Sequence, residues 1–195
     1  MNNSLLELFD KHQGTLIRSD LEKHYISPSS LTRAIKSNEV QKIASGVYVL
    51  KDNFPDEYWY RQKKFSKGIY SHKSALILHD LTDLNAEEYT MTFPRSYRNK
   101  NLENYYIHPY YVNSEILTLE AEKVKTPKGN EVWVYSKERT LVDIWNPRLK
   151  FDASIRLEAL KRYMDLPDKK IHHIAMLERK IGKRVELRRA MEVLL

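Results

Sequence analysis

Two sets of side chains have types and spacings suited to chemistry: cations among short hydroxyls, and carboxylates close to an alternating segment. The first set follows Ser27-Pro28. Serine accepts from a free helical N–H at the N-cap. Proline suits the first helical position, because the N–H it lacks would have no partner there. In the helix that follows, Leu31, Ala34 and Ile35 lie at i, i+3 and i+4 and share one face. At about 100° per residue, the opposite face carries Ser29, Arg33 and Lys36, with Thr32 at its flank. Hydroxyls can bond base edges in a major groove, and cations hold phosphates. The same face could instead be solvated only, or belong to a protein-binding module.

The carboxylates are Glu131, Glu138 and Asp143, which could be drawn into a metal-dependent nuclease site. Glu138, Arg139 and Asp143, however, lie at i, i+1 and i+5 of one helix. Caps and ion pairs holding that helix to a sheet explain them better. The chain has five glycines and no Gly-rich phosphate loop, no H-E-x-x-H and no G-x-S-x-G. It has no cysteine, which excludes disulfides, thiolate metal sites and cysteine nucleophiles. His72 and His79 are seven apart and could share a face, but the further ligands a metal needs are not found. No catalytic residue, metal or cofactor is assigned. Arg95, Arg98 and Lys100 form a basic cluster in a Ser/Asn-rich loop suited to phosphate or an acidic partner.

The elements that would position the first set run from Ile17 to Leu50. Ser19-Asp20-Leu21-Glu22 has the S-x-x-E form of a capping box and predicts a short helix ahead of Ser27. Residues 40–43 and 47–50 are β-prone runs around a Ser45-Gly46 turn, a hairpin pattern. Helix, turn, helix and hairpin describe a winged helix-turn-helix. A first helix, capped by Asn3 or Ser4 and ending near Gln13-Gly14, would pack on the pair. Its expected core is Leu5, Leu6, Phe9, Leu21, Leu31, Ile35, Val47 and Val49.

Residues 52–55 read as a linker, followed by a helix from Asp56 or Glu57. Ile69-Tyr70 reads as a short strand and Ser71 as the cap of a helix over 72–79. Strands are expected at 89–93, 105–108, 116–119 and 131–135, with a turn at Lys128-Gly129-Asn130. Ser136 caps a helix over 137–145, which Asn146-Pro147 ends. Helices over 153–165, 169–180 and 185–195 follow, with Leu157 and Met176 among their apolar positions and Gly182 as a C′ residue. The fold class is therefore α+β. A winged helix-turn-helix domain (1–51) precedes a mixed α/β C-terminal domain (52–195), which ends in basic helices (152–195).

Charge follows this division. The net charge is +7, and residues 148–195 supply 13 basic against 7 acidic side chains, a net of +6. Lys161, Arg162, Lys180, Lys183, Arg184 and Arg188 are candidates for a second polyanion or partner surface. Hydrophobic content of 42% with 30% charged residues fits a globular domain with a strongly charged surface. No apolar run nears the roughly 18 residues of a membrane span. The opening residues lack a basic segment, so no secretory signal is expected, and a cytoplasmic location is.

Four segments, in this order and spacing, carry a resemblance. They are Ile43-Ala44-Ser45-Gly46-Val47-Tyr48, the stretch 70–81 (YSHKSALILHDL), Thr90-Met91-Thr92-Phe93-Pro94, and Glu138-Arg139-Thr140-Leu141-Val142-Asp143-Ile144. The chain resembles the AbiEi antitoxins of type IV, abortive-infection toxin–antitoxin systems. The resemblance implies an N-terminal repressor domain that binds inverted repeats in its own promoter as double-stranded DNA. It also implies a C-terminal domain that opposes a nucleotidyltransferase-like toxin without a stable complex. On the family's pattern the DNA-contacting positions are Ser29, Ser30, Thr32, Arg33, Lys36 and Lys42. The resemblance carries no neutralising residue onto this chain. A protein-interaction module docking an acidic partner, or a metal-dependent nuclease, are the alternatives.

Overall fold

The computed structural model describes residues 2–181 and 187–192. The chain divides into two compact units. One is Met1–Ser66 with Lys125–Val132, the other Lys67–Val124 with Trp133–Leu195.

In the first unit, α1 (Asn3–Lys11) is capped by Asn2, whose side chain accepts from the Ser4 N–H at 3.1 Å. Leu5, Leu8 and Phe9 lie at i, i+3 and i+4 and are buried. Leu6, expected in the core, is exposed because it falls about 100° off that stripe. Gly14 (φ +79°) turns the chain into β1 (Thr15–Ile17), and a Cβ there would lie 2.2 Å from Asn53 Nδ2. β1 was not expected. Its three residues are all buried, so it shows no alternation.

The next helix, α2 (Arg18–Lys23), starts ahead of Ser19. Asp20 accepts from the Ile17 N–H at 3.2 Å, so an acidic side chain does the capping expected of Ser19. Glu22 instead pairs with Arg18. Then come α3 (Pro28–Lys36), β2 (Val40–Ala44) and β3 (Val47–Leu50). β3 pairs antiparallel with both β1 and β2, giving the order β1-β3-β2. Leu5, Phe9, Leu16, Leu21, Leu31, Ala34, Val40 and Tyr48 form the core. Ile35, expected there, is exposed. Val47 and Val49 are buried, but alternation sends them to the face opposite Tyr48.

The unit continues through α4 (Glu57–Lys64), which packs against β1. Asp56 fixes it. One carboxylate oxygen accepts from the Trp59 N–H (3.1 Å), the other from Thr126 Oγ1 (2.6 Å) and Asn130 Nδ2 (2.8 Å). Its own N–H donates to Thr15 Oγ1 at 2.9 Å. His12 stacks on Trp59, and burial pushes the His12 imidazole down from its usual pKa.

The five-stranded sheet that carries most of the second unit consists of β4 (Ile69–Tyr70), β5 (Tyr89–Pro94), β6 (Ile107–Val112), β7 (Ala121–Lys125) and β8 (Glu131–Tyr135), ordered β6-β5-β4-β8-β7, with Lys125, Glu131 and Val132 counted in the first unit. β4 runs antiparallel to β5 and parallel to β8, and β5 runs parallel to β6, so the sheet is mixed. Two expected strands differ. β6 begins at Ile107, after a 3-10 turn at Glu103–Tyr105. Residues 114–117 form a short helix, α6 (Ser114–Leu117), with Ile116 and Leu117 only half-buried. The strand lies further on, in β7, whose Ala-Glu-Lys-Val-Lys composition has weak β-propensity and which pairs with β8.

The helices α5 (His72–Leu78), α7 (Lys137–Ile144), α8 (Ala153–Met164), α9 (Ile171–Ile181) and α10 (Leu187–Glu192) share one core. Leu76, Leu141, Val142, Leu160, Tyr163, Leu177 and Leu187 are among its members. Ser136 caps α7 and Asp152 caps α8, as their sequences suggest. Leu157 and Met176 are exposed. Gly182, Val185 and Leu194 lie outside the described residues. The whole agrees with a winged helix-turn-helix followed by a mixed α/β region with helices.

Candidate nucleic-acid interface

The first turn of α3 is a hydroxyl cluster. Ser27 Oγ lies 2.9 Å from Ser29 Oγ and 3.0 Å from Ser30 Oγ, and accepts from the Ser30 N–H at 3.4 Å. Pro28 occupies the first helical position. The cap therefore fixes where α3 begins, and with it the face each later residue occupies. Ser29, Thr32, Arg33 and Lys36 stand at i, i+3, i+4 and i+7, one stripe, and all are exposed. Ser30 points inward and is 8% exposed. Thr32 Oγ1 donates to Pro28 O at 3.0 Å, which leaves its lone pairs to accept from a ligand.

Arg33 and Lys36 take part in no ion pair among the described residues. They border an open hollow of about 750 Å³ with Asn2, Ser37 and Glu39. Lys42 is exposed on β2 opposite Tyr48. The wing turn at Ser45-Gly46 is braced from two sides: the Arg18 N–H donates to Gly46 O at 2.9 Å, and Lys64 Nζ donates to Ser45 O at 2.7 Å. So α3 and the wing present five of the six expected residues at the surface.

Beside these expected positions stands an exposed ring, Tyr25. It sits in the turn between α2 and α3 with φ 53° and is 96% exposed.

The C-terminal basic candidates fare unevenly. Lys161, Lys180 and Arg188 are exposed. Arg162 is engaged by Asp83, by Glu158 at 2.8 Å and by Asp80 O. Lys183 and Arg184 lie outside the described residues. Glu178 is half-buried, which raises its pKa, and Arg188 partly counters this.

The carboxylates on α7 are structural. Arg139 is fully buried, donates to Asp143 at 2.9 Å through Nε, and reaches Ile116 O and Leu119 O through Nη1. Glu138 accepts from the Tyr163 hydroxyl at 2.8 Å. Glu131 is exposed on β8. His79 lies 2.8 Å from Tyr135 O through Nε2, and burial lowers its pKa. His72 pairs with Ser71 Oγ and stacks on Tyr110. No group of three or more metal-ligating side chains is found among the described residues. Nor is any of their helices long and apolar enough to cross a membrane.

α1, the α2–α3 pair and the β1-β3-β2 sheet thus define a winged helix-turn-helix with an exposed polar and basic second helix. This region, residues 3–51, matches the family described as "Transcriptional regulator, AbiEi antitoxin". The match covers this winged helix-turn-helix alone, about a quarter of the chain, and there the chain is similar to AbiEi-type transcriptional regulators. The other three segments of the resemblance lie beyond the matched residues, on β4–α5, β5 and α7.

The fold as a whole is similar to the crystal structure of the RV2827C protein from Mycobacterium tuberculosis. The TM-score is 0.55 over 89% of this chain and 71% of that one, and at 12% identity the likeness is one of fold alone. Comparison with curated proteins gives no match.

Proposed function

We propose that the chain is the antitoxin and autorepressor of a type IV toxin–antitoxin operon, binding inverted repeats in its own promoter as double-stranded DNA. One observation carries this reading: the regulator-type winged helix holds Ser29, Thr32, Arg33 and Lys36 in one exposed stripe on its second helix. α3 enters the major groove, which admits a helix. Arg33 reads a base edge or anchors on phosphate. Ser29 and Thr32 make short hydrogen bonds near the helix N-terminus, where the macrodipole favours phosphate. Ser30 acts through the Ser27 cap. Lys36 and Lys42 hold backbone phosphates, and Lys161, Lys180 and Arg188 offer a further phosphate-binding surface on the second unit. The second unit opposes a nucleotidyltransferase-like toxin without a stable complex, a role that rests on the family resemblance.

The repressor half is tested by binding to the chain's own upstream DNA and to a scrambled duplex across a salt series. Preference for an inverted repeat supports it. Equal, steeply salt-dependent binding to both duplexes shows a basic surface that reads no sequence. Absence of binding at low salt refutes DNA recognition and favours the acidic-partner alternative. The antitoxin half is tested by co-expression with the neighbouring toxin gene, where growth must be restored without co-purification of the pair.

A further inference from the structure

The second unit has a surface for which DNA reading by α3 has no use. β6 lies at the edge of its sheet, and its outer rim is built against strand addition. Pro109 has no N–H to offer, and the Ile107 N–H is taken by Leu102 O at 3.0 Å. What this edge offers is rings. Tyr106 is 68% and Tyr111 41% exposed, and His108 is exposed between them. Tyr106 has φ 53°, a left-handed backbone that a bulky residue rarely adopts. That conformation holds its ring in solvent where two hollows, of about 530 and 630 Å³, share Tyr106 and Glu88 as a common border. Strained exposed residues of this kind cluster at ligand-binding sites.

Cations accompany the rings. The Arg95 N–H is bonded to Val112 O at the end of the strand. The Arg98 guanidinium lies 5.8 Å from the centre of the Tyr111 ring, and Lys100 lines the groove. None of the three is in an ion pair among the described residues. The one carboxylate on the shared border, Glu88, pairs with Lys73 at 3.9 Å, which offsets its charge, and lies 3.8 Å from His108 Nδ1. It remains an acceptor for base amino groups. Glu103 also lines the groove.

We propose that the β6 groove binds single-stranded nucleic acid, with bases stacked on Tyr106 and Tyr111 and phosphates along Arg95, Arg98 and Lys100. Exposed rings beside a line of cations fit unpaired bases, because each base has a π-face to stack and a phosphate to neutralise. In a duplex those faces are already covered by neighbouring base pairs. Strand addition by a peptide is disfavoured by Pro109 and by the occupied Ile107 N–H. RNA and single-stranded DNA share the recognising chemistry.

The test uses the full chain and labelled oligouridylate and oligothymidylate of about twelve nucleotides, followed by fluorescence anisotropy at low salt. Both tyrosines are changed to alanine, singly and together, and to phenylalanine. Each alanine variant is expected to weaken binding by roughly tenfold, the scale of one lost base–aromatic stack, and each phenylalanine variant to restore it. Tyr106→Gly repeats the measurement with the positive φ relieved, so that loss of the ring is separated from loss of the fold. Tyrosine-dependent binding of either oligomer supports the proposal, and tighter binding of the ribo-oligomer names RNA. No binding, affinity unchanged in the doubly substituted chain, or phenylalanine variants as weak as alanine variants overturn it. So does oligomer binding that follows Arg33→Ala instead of the tyrosines. That last variant keeps the outcome separate from the repressor reading, which concerns duplex DNA and the other unit.

Discussion

Asp56→Ala is the perturbation whose cost follows most directly from the geometry. The Asp56 side chain is almost fully buried and accepts three hydrogen bonds, from the Trp59 N–H, Thr126 Oγ1 and Asn130 Nδ2. Alanine would leave those three donors without their acceptor. A hydrogen bond to a charged group contributes about 1.5–3 kcal/mol, and loss of an N-cap alone costs about 1 kcal/mol. The terms overlap, since Thr126 can turn its hydroxyl elsewhere. The expected loss is therefore about 3–5 kcal/mol, two or three buried donors each left unsatisfied at about 1–3 kcal/mol.

Asp56→Asn is the finer probe. Its amide nitrogen would face two donors at the former Oδ2 position. Asn130 could turn its own amide to match only by giving up its bond to His12 O. The expected cost is about 1–3 kcal/mol, an unsatisfied buried group. The assay is urea unfolding followed by circular dichroism and tryptophan fluorescence, with separate transitions fitted if the two units unfold apart. A loss under about 0.5 kcal/mol for Asp56→Ala, the scale of an ordinary surface change, would refute the claim that this carboxylate ties the 125–132 turn to the start of α4.

Other consequences are as direct. Ser27→Ala removes the cap of α3 and should cost about 0.5–2 kcal/mol by thermal unfolding, while weakening duplex binding through a frayed first turn. Neutralising Lys180 and Arg188 together should flatten the slope of binding against salt, by about 0.9 for each phosphate left without its cation, whereas Arg162→Ala should leave it unchanged because Arg162 is already paired. A fall of the Arg162 variant's slope to match the double variant would contradict this. His79 is buried, with its pKa lowered from 6.5. A depressed histidine contributes stability that is complete above the unfolded pKa and is lost as pH falls through the folded one. Unfolding free energy should thus drop on acidification below about pH 6.5, and His79→Gln should shrink that drop; an equal drop in both chains would remove His79 as its source.

What could be read in advance was whatever depends on neighbours along the chain. Ser27-Pro28 announces α3 because both residues act on the backbone beside them. The helical period then places Ser29, Thr32, Arg33 and Lys36 on one stripe. What could not be read depends on distant partners. β1 is three buried residues, and it is a strand because β3 pairs with it. Residues 116–119 (Ile-Leu-Thr-Leu) are apolar and read as a strand, yet the β8 pairing goes to β7, with its poorer propensity. Arg162 looks like any exposed cation until Asp83, 79 residues away, is seen beside it. Ser30 differs from Ser29 by one position, which at about 100° per residue turns it from the exposed stripe toward the core.

The measurement that tests the central claim most directly is affinity for the chain's own upstream inverted repeat, wild type against Arg33→Ala, with a scrambled duplex beside each. The account predicts that the repeat is preferred, and that Arg33→Ala loses about 1–3 kcal/mol on the repeat, with a much smaller change on the scrambled duplex where Arg33 reads a base edge and an equal one where it anchors on phosphate. Equal affinity of both chains for the repeat would remove Arg33 from the site, and no preference for the repeat in the wild type would contradict DNA reading altogether.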